Sequence, residues 1–257
     1  MHDDLVVAAA QLRATGDPAA NLALAVESIA RAADRGARLV VLPEATLACF
    51  GSPLRDLAQP LDGPFADGIR DAAQRHGVVA IVGTFTPAGD GRVHNTLLLT
   101  GVGVEERYDK IHLFDAFGTR ESEHVAPGSR LVTVDVLGTT IGVATCYDLR
   151  FAAQFTALGR SGARVVCVPA SWADGPGKAE QFDILVRARA MDAQAWVVAA
   201  NQAWTPPRGR AALGVGRSAV VDPAGAVRAR LGAAEDLLVT RIVPGRADEV
   251  RQAVPIL

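Results

Sequence analysis

The sequence predicts an α/β protein: a four-layer α-β-β-α sandwich of two mixed sheets, built from two pseudo-symmetric halves. Three observations predict it. Apolar runs of strand length alternate with helix-length segments. Some strands are joined by helices and others by tight turns, which requires parallel and antiparallel pairing together. The segment Gly36–Pro43 resembles Gly162–Pro169, with Gly-Ala-Arg at the start and Pro at the end of each. Each follows a predicted helix that itself follows a strand. A single doubly wound sheet is the alternative, and so many hairpins disfavour it. Neither a composition shift nor a linker divides the chain, so residues 1–257 are read as one domain.

The elements follow in order. Leu5–Ala10 is a buried strand. Asp17-Pro18 starts a helix, because Asp can cap the free N–H groups and Pro is tolerated at the first helical position. That helix runs to Arg35 and stops at Gly36. Arg38–Leu42 is a strand ended by Pro43. Gly63-Pro64 opens a second helix to His76, and Val78–Phe85 is a strand. Asp90-Gly91 turns the chain into Val93–Thr100, and Gly101–Gly103 turns it into Val104–Tyr108. Asp115–Arg130 is a polar surface loop. Leu131–Val136 and Thr140–Thr145 form a hairpin around Gly138. Leu149–Arg160 is a helix, Arg164–Val168 a strand, Lys178–Asp192 a helix and Ala195–Ala200 a strand. From Val215 to Ile242 short strands alternate with turns at Pro223–Gly225 and Gly232.

Bulk properties exclude several classes. At 257 residues, 49% apolar and 21% charged, the chain is of ordinary globular composition. The net charge is −2 and the cations are scattered, so no basic stripe suits a nucleic acid. Apolar runs are too short to span a membrane. The acidic start Met1–Asp4 has no leader-like pattern, and a cytoplasmic location is the expectation. Cys49, Cys146 and Cys167 are an odd, widely spaced set, which speaks against a disulfide framework. No cysteine or histidine cluster has zinc-ligand spacing, and no Gly-rich stretch completes a nucleotide fingerprint. Gly175-Pro176-Gly177-Lys178 lacks P-loop spacing and reads as a loop before a helix. Neither a metal nor an organic cofactor is implied.

Three reactive residues fall at or just after predicted strand ends, where α/β sheets gather ligands: Glu44, Lys110 and Cys146. Taken singly, each has a plainer reading, as a solvated carboxylate, a surface ammonium and a packed thiol. In the second half the position matching Glu44 is Ala170, beside Ser171, so the turn itself does not demand a carboxylate. A papain-like pair lacks its histidine pattern, and no Gly-x-Ser-x-Gly elbow is present.

Pro43-Glu44-Ala45, Tyr108-x-Lys110-x-His112-Leu113-Phe114 and Cys146-Tyr147-Asp148-Leu149-Arg150-Phe151 resemble, in order, the three signature segments of the nitrilase (carbon–nitrogen hydrolase) superfamily. Arg187–Ala190 and Asn201-Gln202 resemble its downstream segments. The resemblance implies Glu44 as general base, Lys110 as electrostatic stabiliser, Cys146 as nucleophile and Glu121 as the carboxylate that positions Lys110. Lys110 and the Tyr147 amide would hold the oxyanion.

The segment after Cys146 is most similar to ω-amidase and deaminated-glutathione amidase. This implies a thiol amidase acting on a small, carboxylate-bearing amide, in at least a homodimer. A nitrilase or N-carbamoyl hydrolase of the same superfamily is the alternative. A non-catalytic small-molecule-binding protein is the alternative of another class. Two departures bear on the pocket. The family's Arg-Phe-Pro-Glu is Arg150-Phe151-Ala152-Ala153 here, and its Ala-His-Trp is replaced around Ala179–Phe182. Arg150 reads either as a partner of the substrate carboxylate or as a salt bridge to Asp148 or a nearby carboxylate. Trp172 reads either as a pocket wall or as packing.

Overall fold

The computed structural model describes residues 4–206 and 214–257, so the reading at Met1–Asp3 lies outside the described residues. One sheet contains β1 (Leu5–Gln11), β2 (Leu39–Val41), β3 (Val79–Pro87), β4 (Val93–Gly101), β5 (Val104–Asp109) and β12 (Asp236–Ile242), in the order β12-β1-β2-β3-β4-β5. The other contains β6 (Thr133–Val136), β7 (Thr139–Val143), β8 (Val165–Ala170), β9 (Trp196–Asn201), β10 (Ala219–Val221) and β11 (Val227–Arg230), in the order β6-β7-β8-β9-β10-β11.

The two orders superimpose. β1, β2 and β3 are parallel, as are β7, β8 and β9, and every outer strand pairs antiparallel. The repeated segment therefore marks β2 and β8, the middle of each parallel trio. Helices α1 (Pro18–Asp34) and α3 (Pro64–His76) serve the first half. Helices α4 (Ala152–Arg160) and α5 (Lys178–Ala193) serve the second.

Strand alternation explains the layers. In β2, Leu39 and Val41 face the core between the sheets, while Val40 packs under the helices. In β8, Val165 and Cys167 face that same core, and Val166 and Val168 pack against α4 and α5. Strands covered on both faces read as unbroken apolar runs, which is why the sequence displayed them so plainly.

Local chemistry sets the ends. Asp17 Oδ1 accepts from the amides of Ala19 and Ala20 (2.9 and 3.2 Å) and starts α1. Such a cap contributes about 1 kcal/mol. Leu137 and Gly138 both have positive φ (52° and 79°), which suits the two-residue turn between β6 and β7.

Some expectations are corrected. The helix placed at Leu149–Arg160 starts at Ala152, because Cys146–Arg150 form a tight 3-10 turn. Two short helices were not expected, α2 (Leu54–Leu57) and α6 (Arg246–Ala253). The first is a single turn. The second buries only Ala247 and so carries no apolar stripe in its sequence. Among the described residues no helix is long and apolar enough to cross a membrane.

Candidate active site

The turn after β2 is a close backbone approach. Gly83 of β3 donates to Pro43 O (3.1 Å), and its own carbonyl accepts from Thr46 and Leu47. A Cβ at Gly83 would stand 2.6 Å from Glu44 Cα and from Pro43 O, so a side chain there has no room. Ala45 completes the turn at φ 58°. This bend presents Glu44 wholly buried.

Each oxygen of Glu44 has its donor. Oε1 accepts from Lys110 Nζ (3.0 Å) and Asn95 Nδ2 (2.7 Å). Oε2 accepts from the amide of Ser171 (2.8 Å). Gln202 Nε2 donates to the Glu44 carbonyl (2.9 Å).

Lys110 leaves the end of β5 and is 2% exposed. Its Nζ reaches both oxygens of Glu121, at 3.1 and 2.9 Å. Glu121 lies in the crossing loop between the sheets and is buried there. Its Oε2 also accepts from the Phe114 amide (2.6 Å), and Asn95 Nδ2 touches its Oε1 (3.2 Å). An ammonium is thus held between two carboxylates with every member hydrogen-bonded. Removing Lys110 would leave two buried carboxylates with no cation between them.

Cys146 opens the 3-10 turn after β7 with φ 46°, a conformation side chains rarely adopt outside special turns. Asp148 fixes that turn. Its Oδ2 accepts from the Thr145 amide (2.8 Å) and Tyr108 OH (2.6 Å). Its Oδ1 accepts from the His112 amide (3.1 Å) and pairs with His112 Nδ1 (2.8 Å). The buried Asp148 therefore ties the thiol's turn to the segment that carries Lys110. His112 also stacks on Phe151, with ring centroids 3.5 Å apart.

The electrostatics follow from burial and charge. Burial pushes the Cys146 thiol well above its usual range, the Glu44 carboxylate pushes it further, and Lys110 opposes both too weakly to win. The resting thiol therefore keeps its proton. Burial alone would discharge Lys110, but Glu121 first, and then Glu44, keep its ammonium well above the ordinary lysine range. Cys167, buried between the sheets with no charge beside it, is raised by desolvation alone.

Cys146, Lys110, Glu44 and Glu121 lie at one cavity of about 780 Å³, with Tyr147 and Trp172 in its wall. That volume suits a small-molecule site. Trp172 is held by its amide on Asn201 Oδ1 (2.9 Å) and its indole N–H on Lys178 O (3.0 Å). Arg150 stands behind the Tyr147 and Trp172 rings of the cavity, and the salt bridge expected of it with Asp148 or a nearby carboxylate is not formed. Asp148 is occupied elsewhere, so Arg150 Nη2 bonds Gln181 Oε1 (2.7 Å) and its guanidinium lies 5.1 Å from the Trp172 ring centroid. Sequence reasoning missed Asn95, Ser171 and Lys178, and took Asp148 only as a partner for Arg150. Asn95 is an amide in a strand that otherwise holds apolar residues, Thr, Gly and His94. Among the described residues no group of three or more His, Cys, Asp or Glu is placed to hold a metal ion.

Comparison with known proteins agrees with this geometry. The carbon–nitrogen hydrolase family model matches residues 6–252. A protein of Mycobacterium tuberculosis described as a hydrolase is 46% identical, over 98% of this chain and 94% of its own length. The deaminated glutathione amidase of Escherichia coli O157:H7 is 33% identical, over 98% and 96%. The crystal structure of XC1258 from Xanthomonas campestris, a CN-hydrolase superfamily protein with an arsenic adduct in its active site, superimposes with a TM-score of 0.86 at 29% identity, covering 99% of this chain and 96% of that one. The chain belongs to the carbon–nitrogen hydrolase family.

Proposed function

We propose that the protein is a thiol amidase that hydrolyses the C–N bond of a small, carboxylate-bearing amide through a thioester on Cys146. The observation that carries this reading is the meeting of a thiol, a buried carboxylate and a buried ammonium in the lining of one cavity. The amidase named among the relatives supports the choice of amide over nitrile.

The chemistry follows from the charges. Glu44, Glu121 and Lys110 together carry one net negative charge, and a standing thiolate would add a second in the same buried volume. The proton therefore leaves the thiol as the sulfur attacks. Glu44 takes it while the S–C bond forms and the carbonyl π pair moves to oxygen. Lys110 and the Tyr147 amide hold that oxyanion. Within the turn the first amide to donate is that of Asp148, to Thr145 O at 2.9 Å, so the Tyr147 amide keeps its donor for a ligand. Collapse of the intermediate breaks the C–N bond, and Glu44 gives its proton to the leaving ammonia or amine. A water then attacks the thioester, passing its proton to Glu44. The S–C bond breaks and Glu44 returns the proton to sulfur. Glu121 and Asn95 act through Lys110 and Glu44 and are positioning residues.

The test is release of ammonia or amine from short ω-amides of dicarboxylic and keto acids, deaminated glutathione included, by wild type and Cys146→Ala. Turnover by wild type with a loss of about 10⁴-fold or more in the variant is expected. Equal turnover by both would sink the proposal. No turnover by either, together with a Cys146 inert to thiol reagents, would favour a binding protein that keeps the fold.

A further inference from the structure

The segment Gly175–Lys178, which the chemistry above does not use, carries a cation to the cavity wall. Lys178 is the first residue of α5 and is half-buried. Its backbone is anchored through Lys178 O to the Trp172 indole, and Trp172 is anchored to Asn201. The position of this lysine is therefore built in from β9 outward.

Its ammonium has an unusual neighbourhood. Nζ lies 4.1 Å from the Phe117 ring centroid, 5.6 Å from that of Phe114 and 5.9 Å from that of Trp172. Aromatic faces attract a cation without neutralising it. Among the described residues no carboxylate lies within 4.0 Å of it. Burial and the nearby Arg150 both disfavour its charge, and Cys146 is close enough to be felt. Lys178 Nζ is thus a cation at the cavity wall with no counter-ion among the described residues.

The rest of the lining points the same way. Beyond the buried set around Lys110, the ionisable lining consists of the cations Arg55, Arg120 and Lys178 and a single carboxylate, Asp56, with His124. Arg120 meets Glu123 only at 3.6 Å, on the surface. The lining therefore combines a net negative set around Cys146 with a remainder that is net positive.

We infer that Lys178 is the specificity-determining residue for charge, binding a carboxylate at the end of the substrate remote from the scissile amide. Arg150 serves it from outside the cavity, fixing Gln181 of the same helix and backing the Trp172 wall. The inference rests on the thiol amidase reading and deepens it. It moves the carboxylate contact expected of Arg150 to a residue that the sequence gave no reason to choose.

The experiment compares an ω-monoamide of a short dicarboxylic acid with its methyl ester, in wild type, Lys178→Met and Lys178→Arg. The ratio of kcat/KM for acid over ester should fall about tenfold in Lys178→Met, through KM, the size of one charge-assisted contact. Lys178→Arg should recover most of it. Equal losses on acid and ester, or an unaltered ratio, would overturn the assignment. If wild type hydrolyses neither compound, alkylation of Cys146 decides, followed by peptide mass mapping with iodoacetate against iodoacetamide. A Met-dependent drop in the iodoacetate to iodoacetamide rate ratio supports the role, and an unaltered ratio with prompt labelling overturns it. A Cys146 that resists both reagents sinks the thiol amidase reading itself, and this inference with it.

Discussion

After β2 the chain bends through Pro43, Glu44 and Ala45. After Val168 it runs straight on, and Pro169 and Ala170 still pair with Ala200 and Asn201 of β9. The residue that crowds the first bend is Gly83, and the matching residue of β9 by register is Ala200. One half thus spends a glycine and a left-handed Ala45 on turning a carboxylate inward. The other half keeps its ladder and contributes a backbone amide, that of Ser171, to the same carboxylate. The end of β7 differs from the end of β1 in the same manner. β7 leads to Cys146, whereas β1 ends in Gln11, whose side chain ties Ser218, Gly232 and Ala234 in place. The repeat supplies the scaffold, and the site is assembled where the two copies part.

That contrast can be broken at graded cost. The largest effect is expected from Glu44→Gln, which keeps the turn but removes the proposed proton acceptor. Amide turnover should fall about 10³-fold. Because Glu44 holds the thiol pKa up, the pH at which Cys146 becomes alkylated by iodoacetamide should move down in this variant. An unmoved profile would mean that burial alone sets the thiol.

Gly83→Ala should force the Glu44 turn apart and destabilise the protein by about 3 kcal/mol, read from denaturant midpoints. Ala200→Gly in the other half should cost only about 1 kcal/mol. Similar costs at both positions would show that the bend is not the constraint argued above.

The smallest effect is alkaline. Cys146, Cys167, Tyr108 and Lys110 all have folded pKa values above their unfolded ones, so the folded state holds these protons more tightly. Below pH of about 8.5 both states are protonated and the stability is complete. It should decline as pH rises past that point and more steeply past about 10, as the unfolded chain ionises first. Cys167→Ala should flatten the early part of the decline, with thermal melts from pH 7 to 10.5 as the measure.

Most of the fold was legible because its strands are buried on both faces and its turns carry Gly, Pro and Asp. The three reactive residues were legible because each follows a strand end within a recognisable segment. What the sequence did not display was the network that connects them. Asn95 bridges two carboxylates from the middle of β4, and no pattern of period two or 3.6 marks such a contact. Asp148 looked like a partner for its close neighbour Arg150, but its oxygens bond residues about 40 positions away as well as the adjacent turn. Lys178 was hidden for a related reason. Its meaning comes from having aromatic rings around it and no acid, and both facts belong to tertiary structure.

The protonated resting state of Cys146 also bears on how the protein ages in a cell. Peroxide and related oxidants consume thiolates, and the ladder from sulfenic to sulfonic acid starts there. On the proposed mechanism the thiol surrenders its proton to Glu44 only as it attacks, and so offers oxidants little while the cavity is empty. Its exposure to damage would then scale with the time spent in turnover rather than with the time spent waiting.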